Sequence, residues 1–306
     1  MARSEVNTTC RRIRRQLNSG QRLELGTLAT TVDDNDTNIV FSDALPASVY
    51  ANSMLNIGVE MMRVRSFVTA TKTVTVARGA ADSEAVAHTA GDEISINPRF
   101  SLLDIYDALI AELNSWGPGI YRVEADTFTY ATEQQTVELP TAWADCYHVL
   151  TVRGKRDVSD LIDATNWTKW PALSWSLVRA PVATLPDALS SGLLLRIPDS
   201  SFIGDLYVAA ALPLLTDDVP LTADLIEDIG VPASALDVVD MGVRRRLAID
   251  AEMGRSARDA QGDSRAASEN PPGGNVSVLR VLDAQYFRRM SEETYKLLSR
   301  WPIGMS

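Results

Sequence analysis

The chain has 306 residues, 45% of them hydrophobic and 23% charged, with a net charge of −11 at pH 7. That length supports one large domain or two medium ones, and the composition supports packed cores and excludes wholesale disorder. The acidic balance is the opposite of what a phosphate-gripping surface needs, which disfavours sequence-specific nucleic-acid binding.

Residues 1–24 read as a basic helix or arm. A helix is expected over Asn7–Asn18, with Thr8 or Thr9 as its cap and Ile13 and Leu17 four apart on one face. Arg11, Arg12, Arg14 and Arg15 make this the most basic stretch of the chain. No apolar core follows these charges, so a signal peptide is not expected, and no run approaches the ~18 apolar residues that cross a bilayer. Cys10 and Cys146 lack neighbours at metal-ligand spacing and read as free thiols.

Residues 25–98 are rich in Val, Ile and Thr between turn clusters, the pattern of a small β-barrel or sandwich. Glu60–Val64 reads as extended, and Thr71–Val76 alternates with period two, as a strand with two unlike faces does. Residues 99–119 are expected to form a core helix over Arg99–Trp116, opened by Asn97-Pro98 and closed by Gly117-Pro118-Gly119, with Leu103, Tyr106, Ile110 and Leu113 on one stripe. Residues 120–215 offer six strand candidates (Thr127–Tyr130, Gln135–Leu139, Tyr147–Val152, Leu173–Val178, Leu193–Ile197 and Leu206–Ala211) punctuated by prolines. These suggest a β-sandwich of the jelly-roll kind containing Trp167, Trp170 and Trp175. Residues 216–306 read as C-terminal helices and a docking tail. Thr222 or Pro232–Ser234 can start helices, Leu236–Asp259 is one long candidate, Gln261–Gly274 is a polar loop, and Val276–Arg300 carries Leu279, Leu282, Tyr286, Met290 and Leu297 on one stripe. Read from the residues alone, these elements make an α+β protein: a small β-barrel or sandwich, a jelly-roll-like β-sandwich and several helices.

Catalytic signatures are missing from the sequence. His88 and His148 stand apart from other ligand residues, so neither metal nor cofactor is expected. Asp34–Asn38 resembles the opening of a calcium loop, but Ile39 replaces the turn glycine and Leu45 the bidentate Glu. There is no nucleophile elbow, Walker loop or dinucleotide fingerprint. The expectation is a protein that is not an enzyme, with a hydrolase using paired carboxylates as the remote alternative. The triplet Arg244, Arg245 and Arg246 reads either as a solvated face paired to Asp240 and Asp250, or as a contact with acidic partner subunits or DNA.

Three segments carry a resemblance. One is the strand and Arg78-Gly79 turn, followed by a small-residue linker, His88, Gly91-Asp92, a strand to Ile96 and the Phe100 helix. The second is the Leu139-Pro140 turn leading into a strand to Val152, and the third is the ending Tyr286, Glu292-Glu293, Trp301-Pro302. In this order they resemble the head-to-tail adaptors of tailed-bacteriophage virions. The resemblance implies a helical, connector-like bundle built from Arg99–Trp116, Leu236–Asp259 and Val276–Arg300, with the small β-barrel and the jelly-roll-like β-sandwich inserted, in a structural protein made in the bacterial host cytoplasm and placed at the virion neck. It implies a ring, expected to be a dodecamer, between the portal ring and the stopper or tail proteins. Genomic DNA would pass through at ejection without sequence-specific binding, and no membrane is involved. Partner-binding residues are then expected among Arg11, Arg12, Arg14, Arg15, Arg244, Arg245, Arg246 and Trp301, with the N-terminal arginines or Lys296–Ser306 docking on the portal. The alternative is a tail-tip, baseplate or receptor-binding protein that uses exposed tryptophans; an adaptor would bury them.

Overall fold

A computed structural model describes residues 4–17, 24–130, 136–156, 170–179, 192–198, 204–217, 219–260 and 274–301. The chain divides into two compact units. One is drawn from Met1–Leu113, Pro220–Asp224 and Asp237–Tyr286, the other from Asn114–Val219, Leu225–Leu236 and Phe287–Ser306.

The first unit is organised by an antiparallel six-stranded sheet. Its strands are β1 (Glu24–Thr27), β2 (Asn38–Val40), β3 (Met54–Ile57), β4 (Glu60–Val68), β5 (Thr73–Ala77) and β6 (Glu93–Ile96), in the order β1-β6-β3-β4-β5-β2. The sheet curls until its two edges meet at one bridge, Leu28 to Phe41, flanked by Ala29 N–H to Val40 O at 2.8 Å and Ser42 N–H to Thr27 O at 2.9 Å. Gly26 permits this closure: a Cβ there would stand 2.6 Å from the buried Phe41 ring. Period-two alternation sends Ile39, Leu55, Ile57, Val64, Val74, Val76, Ile94 and Ile96 into one core.

Helix α1 (Val6–Leu17) and α2 (Leu102–Ser115) belong to this unit apart from the last two residues of α2. Neither starts where its sequence signals point. The first amides of α1 donate to backbone carbonyls of a distant segment, Val6 to Ala223 and Asn7 to Leu221, both at 2.9 Å, so no threonine cap is needed and Thr9 is buried. For α2, Asn97-Pro98 is not the opening. Asn97 takes φ 45° at the end of β6 and its side chain accepts from Met54 N–H. The cap is Ser101, whose Oγ accepts from Asp104 N–H at 3.0 Å while its own N–H donates to the Asp104 carboxylate at 2.8 Å.

The second unit holds two three-stranded antiparallel sheets, β7-β12-β9 and β10-β11-β8. The first comprises β7 (Arg122–Tyr130), β12 (Gly204–Leu212) and β9 (His148–Arg156); the second comprises β10 (Ser176–Arg179), β11 (Leu193–Arg196) and β8 (Thr136–Glu138). One core is shared by both sheets, with Tyr130, Val152, Leu195, Leu206 and Val208 among its residues. Central strand β12 is buried on both faces. Val208, Ala210 and Leu212 point into that core, while Ala209 and Ala211 face Leu297 and Trp301 of the C-terminal segment. This accounts for its continuous apolar run.

The expected helical bundle with inserted β-barrel and β-sandwich domains is overturned. The molecule is mostly antiparallel sheet, and its described helices number four: α1, α2, α3 (Leu236–Ala260) and α4 (Gly274–Arg300). The sheets are not decorations on a helical core, because they supply two cores of their own. The eight-stranded jelly-roll pattern is also not found among the described residues, where six strands form two small sheets. Thr222 starts no helix; a 3-10 turn over Ala233–Ala235 leads into α3.

Candidate functional site

The Arg78-Gly79 turn is organised around one carboxylate. Glu60 opens β4 and its side chain is 0% exposed. Arg78 grips it with both edges of its fork, Nε at 2.6 Å and Nη2 at 2.8 Å. His88 Nε2 lies 2.8 Å away, and the amides of Gly79 and Val86 donate at 3.3 and 3.2 Å. Burial alone would raise the Glu60 pKa, but the bonds from Arg78, His88 and Val86 and the Arg78 charge outweigh it and hold the group at about 2. The remaining Arg78 donors reach the carbonyls of Asp33, Asp36 and Val86 at 2.6–2.8 Å. The same arginine therefore ties down the acidic turn that resembled a calcium loop. No cluster suited to a metal ion occurs among the described residues. The arrangement locks a loop and leaves no donor aimed at a substrate.

The two arginine clusters singled out in the sequence converge within the first unit. Arg12 of α1 pairs with the Asp240 carboxylate at 2.7 Å, and Arg244 donates to the Asp240 backbone carbonyl at 3.0 Å. Arg14 is 4% exposed and bonds Ser95 at 2.7 Å as well as Glu93. Arg245 pairs with Asp283 and lies over the Tyr286 ring at 5.2 Å, and Arg246 pairs with the fully buried Glu112 at 2.5 Å. The i,i+4 pairs expected with the carboxylates of Asp240 and Asp250 are replaced by contacts from other helices. Gly242, on α3, is required because a Cβ would collide with Glu112. Cys10 sits in this packing; burial, with the Asp240 charge, pushes its thiol up to about 12, so it is inert. Of the sequence-predicted arginines, Arg15 remains exposed and Arg11 half-buried. Trp301 is half-buried against the β7-β12-β9 sheet in the second unit.

Between α2 and α3 lies a cleft of about 630 Å³. Its floor is apolar, with Phe100, Ala108, Leu247 and Ile249, and its rim carries Asp104, Asp107 and Asp250. Desolvation, aided by neighbouring Asp104, raises the Asp107 pKa. Arg245 and Arg246 also border it but are committed to Asp283 and Glu112, and Arg99 stacks on Phe100 at 5.3 Å. Sequence reasoning missed this cleft. Its one signal is the unbalanced i,i+3 pair Asp104 and Asp107 on a helix without a basic partner.

In the second unit, Trp143 and Trp170 are buried and Trp175 is packed against the core; Trp143 Nε1 donates to Glu124 at 2.9 Å. Trp167 lies outside the described residues, as do the loop 261–273 and the end of the tail, 302–306. Burial lowers the His148 pKa; its ring meets Tyr121 edge-on at 5.5 Å. No helix among the described residues is long and apolar enough to cross a membrane. A scan against protein-family models and a search of curated proteins return no match.

Proposed function

We propose that this chain is a structural protein of a tailed-phage virion, a head-to-tail adaptor. It would assemble as a ring, a dodecamer, between the portal ring and the stopper or tail proteins, and pass genomic DNA without sequence-specific binding. The observation that carries the reading is the fate of the tryptophans. Trp116, Trp143 and Trp170 are buried, and Trp175 and Trp301 are half-buried, so the described tryptophans form no open stacking platform. That favours an adaptor over a receptor-binding tail tip, which needs exposed aromatic surface. In the segment that carries the resemblance, Arg78 to Ile96, Arg78 and His88 are spent on the buried Glu60 and the loop around it, a scaffolding arrangement. The net charge of −11 per chain, repeated around a ring, would let DNA slide without adhering.

Immunogold electron microscopy of purified phage particles tests this reading. Gold at the neck supports it. Gold at the distal tail replaces it with the tail-tip alternative, and particles without gold remove the protein from the virion.

A further inference from the structure

The far end of the β4–β5 hairpin departs from the rest of the chain in three ways. First, it is exposed and apolar: Phe67 is 41% and Val68 53% exposed. Register places Phe67 opposite Val74, which is fully buried in the core of the curled sheet, so Phe67 extends beyond that core on the same face while Val68 projects from the other face. Second, it has a free edge. β5 is flanked by β4 and β2, but the pairing of β4 with β3 ends at Arg63, and the last backbone bonds on that side join Val64 to Asn52 and Ser53. Residues 65–68 have no strand on that side among the described residues. Third, it is basic: from Met61 to Ala77 the chain has Arg63, Arg65 and Lys72 and no carboxylate, in a protein of net charge −11. Lys72 is engaged with the Ser42 carbonyl at 2.7 Å, whereas Arg63 and Arg65 are exposed and make no ion pair among the described residues.

The α2–α3 cleft has the complementary features: an apolar floor holding Phe100, and a rim with three carboxylates, Asp104, Asp107 and Asp250. Against them stands one arginine, Arg99, that makes no ion pair among the described residues, Arg245 and Arg246 being neutralised by Asp283 and Glu112. Asp107 and Asp250 have no ion-pair partner there either. We infer that the β4–β5 hairpin of one copy docks into the α2–α3 cleft of a second copy, Phe67 against the apolar floor and Arg65 against Asp107. Hairpin and cleft are different surfaces of the same unit, so the contact is heterologous and repeats head to tail, which builds a closed ring or an open chain. A nucleic-acid partner is less well matched. Two free arginines give little phosphate neutralisation, and phosphates have no use for an exposed Phe and Val. The inference shares with the proposed function only the premise that the protein self-assembles; it holds wherever that assembly works.

The test is sedimentation velocity on the full chain over a dilution series, in low and high salt, with the variants Arg65→Glu and Asp107→Arg singly, mixed and combined. The wild type is expected to associate, more weakly at high salt. Each single variant should weaken association at least tenfold with an unchanged melting temperature, and the combined charge swap should restore most of it. A wild type that stays monomeric at every concentration overturns the inference, leaving the virion reading to the gold labelling. Association that neither variant changes also overturns it, but leaves self-assembly intact through another surface. Loss in the single variants without recovery in the combined one removes the Arg65–Asp107 pairing. A labelled DNA duplex whose binding is abolished by Arg65→Glu, with no self-association, would reassign the hairpin to nucleic acid.

Discussion

The two ends of strand β4 reverse the usual partition of side chains. At one end of the nine-residue strand a carboxylate, Glu60, is fully buried; at the other, Phe67 and Val68 stand in solvent. Each inversion is stable for a different reason. Glu60 tolerates burial because five donors from Arg78, Gly79, Val86 and His88 replace water around it. Phe67 and Val68 tolerate exposure because they lie at a hairpin tip that carries little of the barrel core. The first end therefore concerns stability and the second, in the contact inferred above, association, and substitutions separate the two.

The largest effect is expected at the buried end. Glu60→Ala leaves Arg78 with an uncompensated buried charge and should destabilise the first unit by about 3–5 kcal/mol, read as a drop in the urea midpoint. Titration of the wild type comes next. The folded-state pKa of Glu60, about 2, lies below the ordinary 4.5, so its contribution is complete above that ordinary value and is lost as pH falls from about 4.5 to 2. The shift corresponds to on the order of 3 kcal/mol. The pH dependence of unfolding in that window should flatten in Glu60→Gln; equal slopes in both proteins would show that other carboxylates carry it. Away from β4, Gly242→Ala should cost about 1–3 kcal/mol by pushing α3 off Glu112, with an unfolding curve to report it. The smallest effect belongs to the exposed end, where Val68→Asp should change stability by less than about 0.5 kcal/mol in the same assay. A large loss there would mean that the tip is part of the core and would erase the contrast between the two ends of β4.

Legibility in the sequence followed the range of the interactions. All six strand candidates of the second unit overlap strands, because prolines and β-branched residues punctuate that region locally. The start of α2 lies three positions after the expected Arg99, since Asn97-Pro98 and Ser101-Asp104 are rival signals and only packing selects the second. The bundle that the resemblance implies fails because the many short strands, whose pairings are not visible locally, supply cores of their own. At the Arg-Gly turn, Arg78 and His88 stood out as a pattern, but the residue that unites them did not. Glu60 lies 18 and 28 residues away, and its one signal is that it is the lone acid of its strand. The arginine clusters stood out as charge, whereas their convergence on Asp240 depends on a contact across 228 residues.

The backbone bonds that hold the front of α1 have a further consequence during synthesis. A twelve-residue helix is marginal on its own. Arg14 can reach Ser95 and Glu93 as soon as β6 is made, but the partners of the front of the helix, the carbonyls of Leu221 and Ala223 and the carboxylate of Asp240, are translated about two hundred residues later. At ordinary ribosome speeds that is a wait of roughly 10–40 s. The curled six-stranded sheet can form in the interval, whereas the front of α1, with its thiol and Arg12, stays available to chaperones and other chains until the second half of the polypeptide arrives.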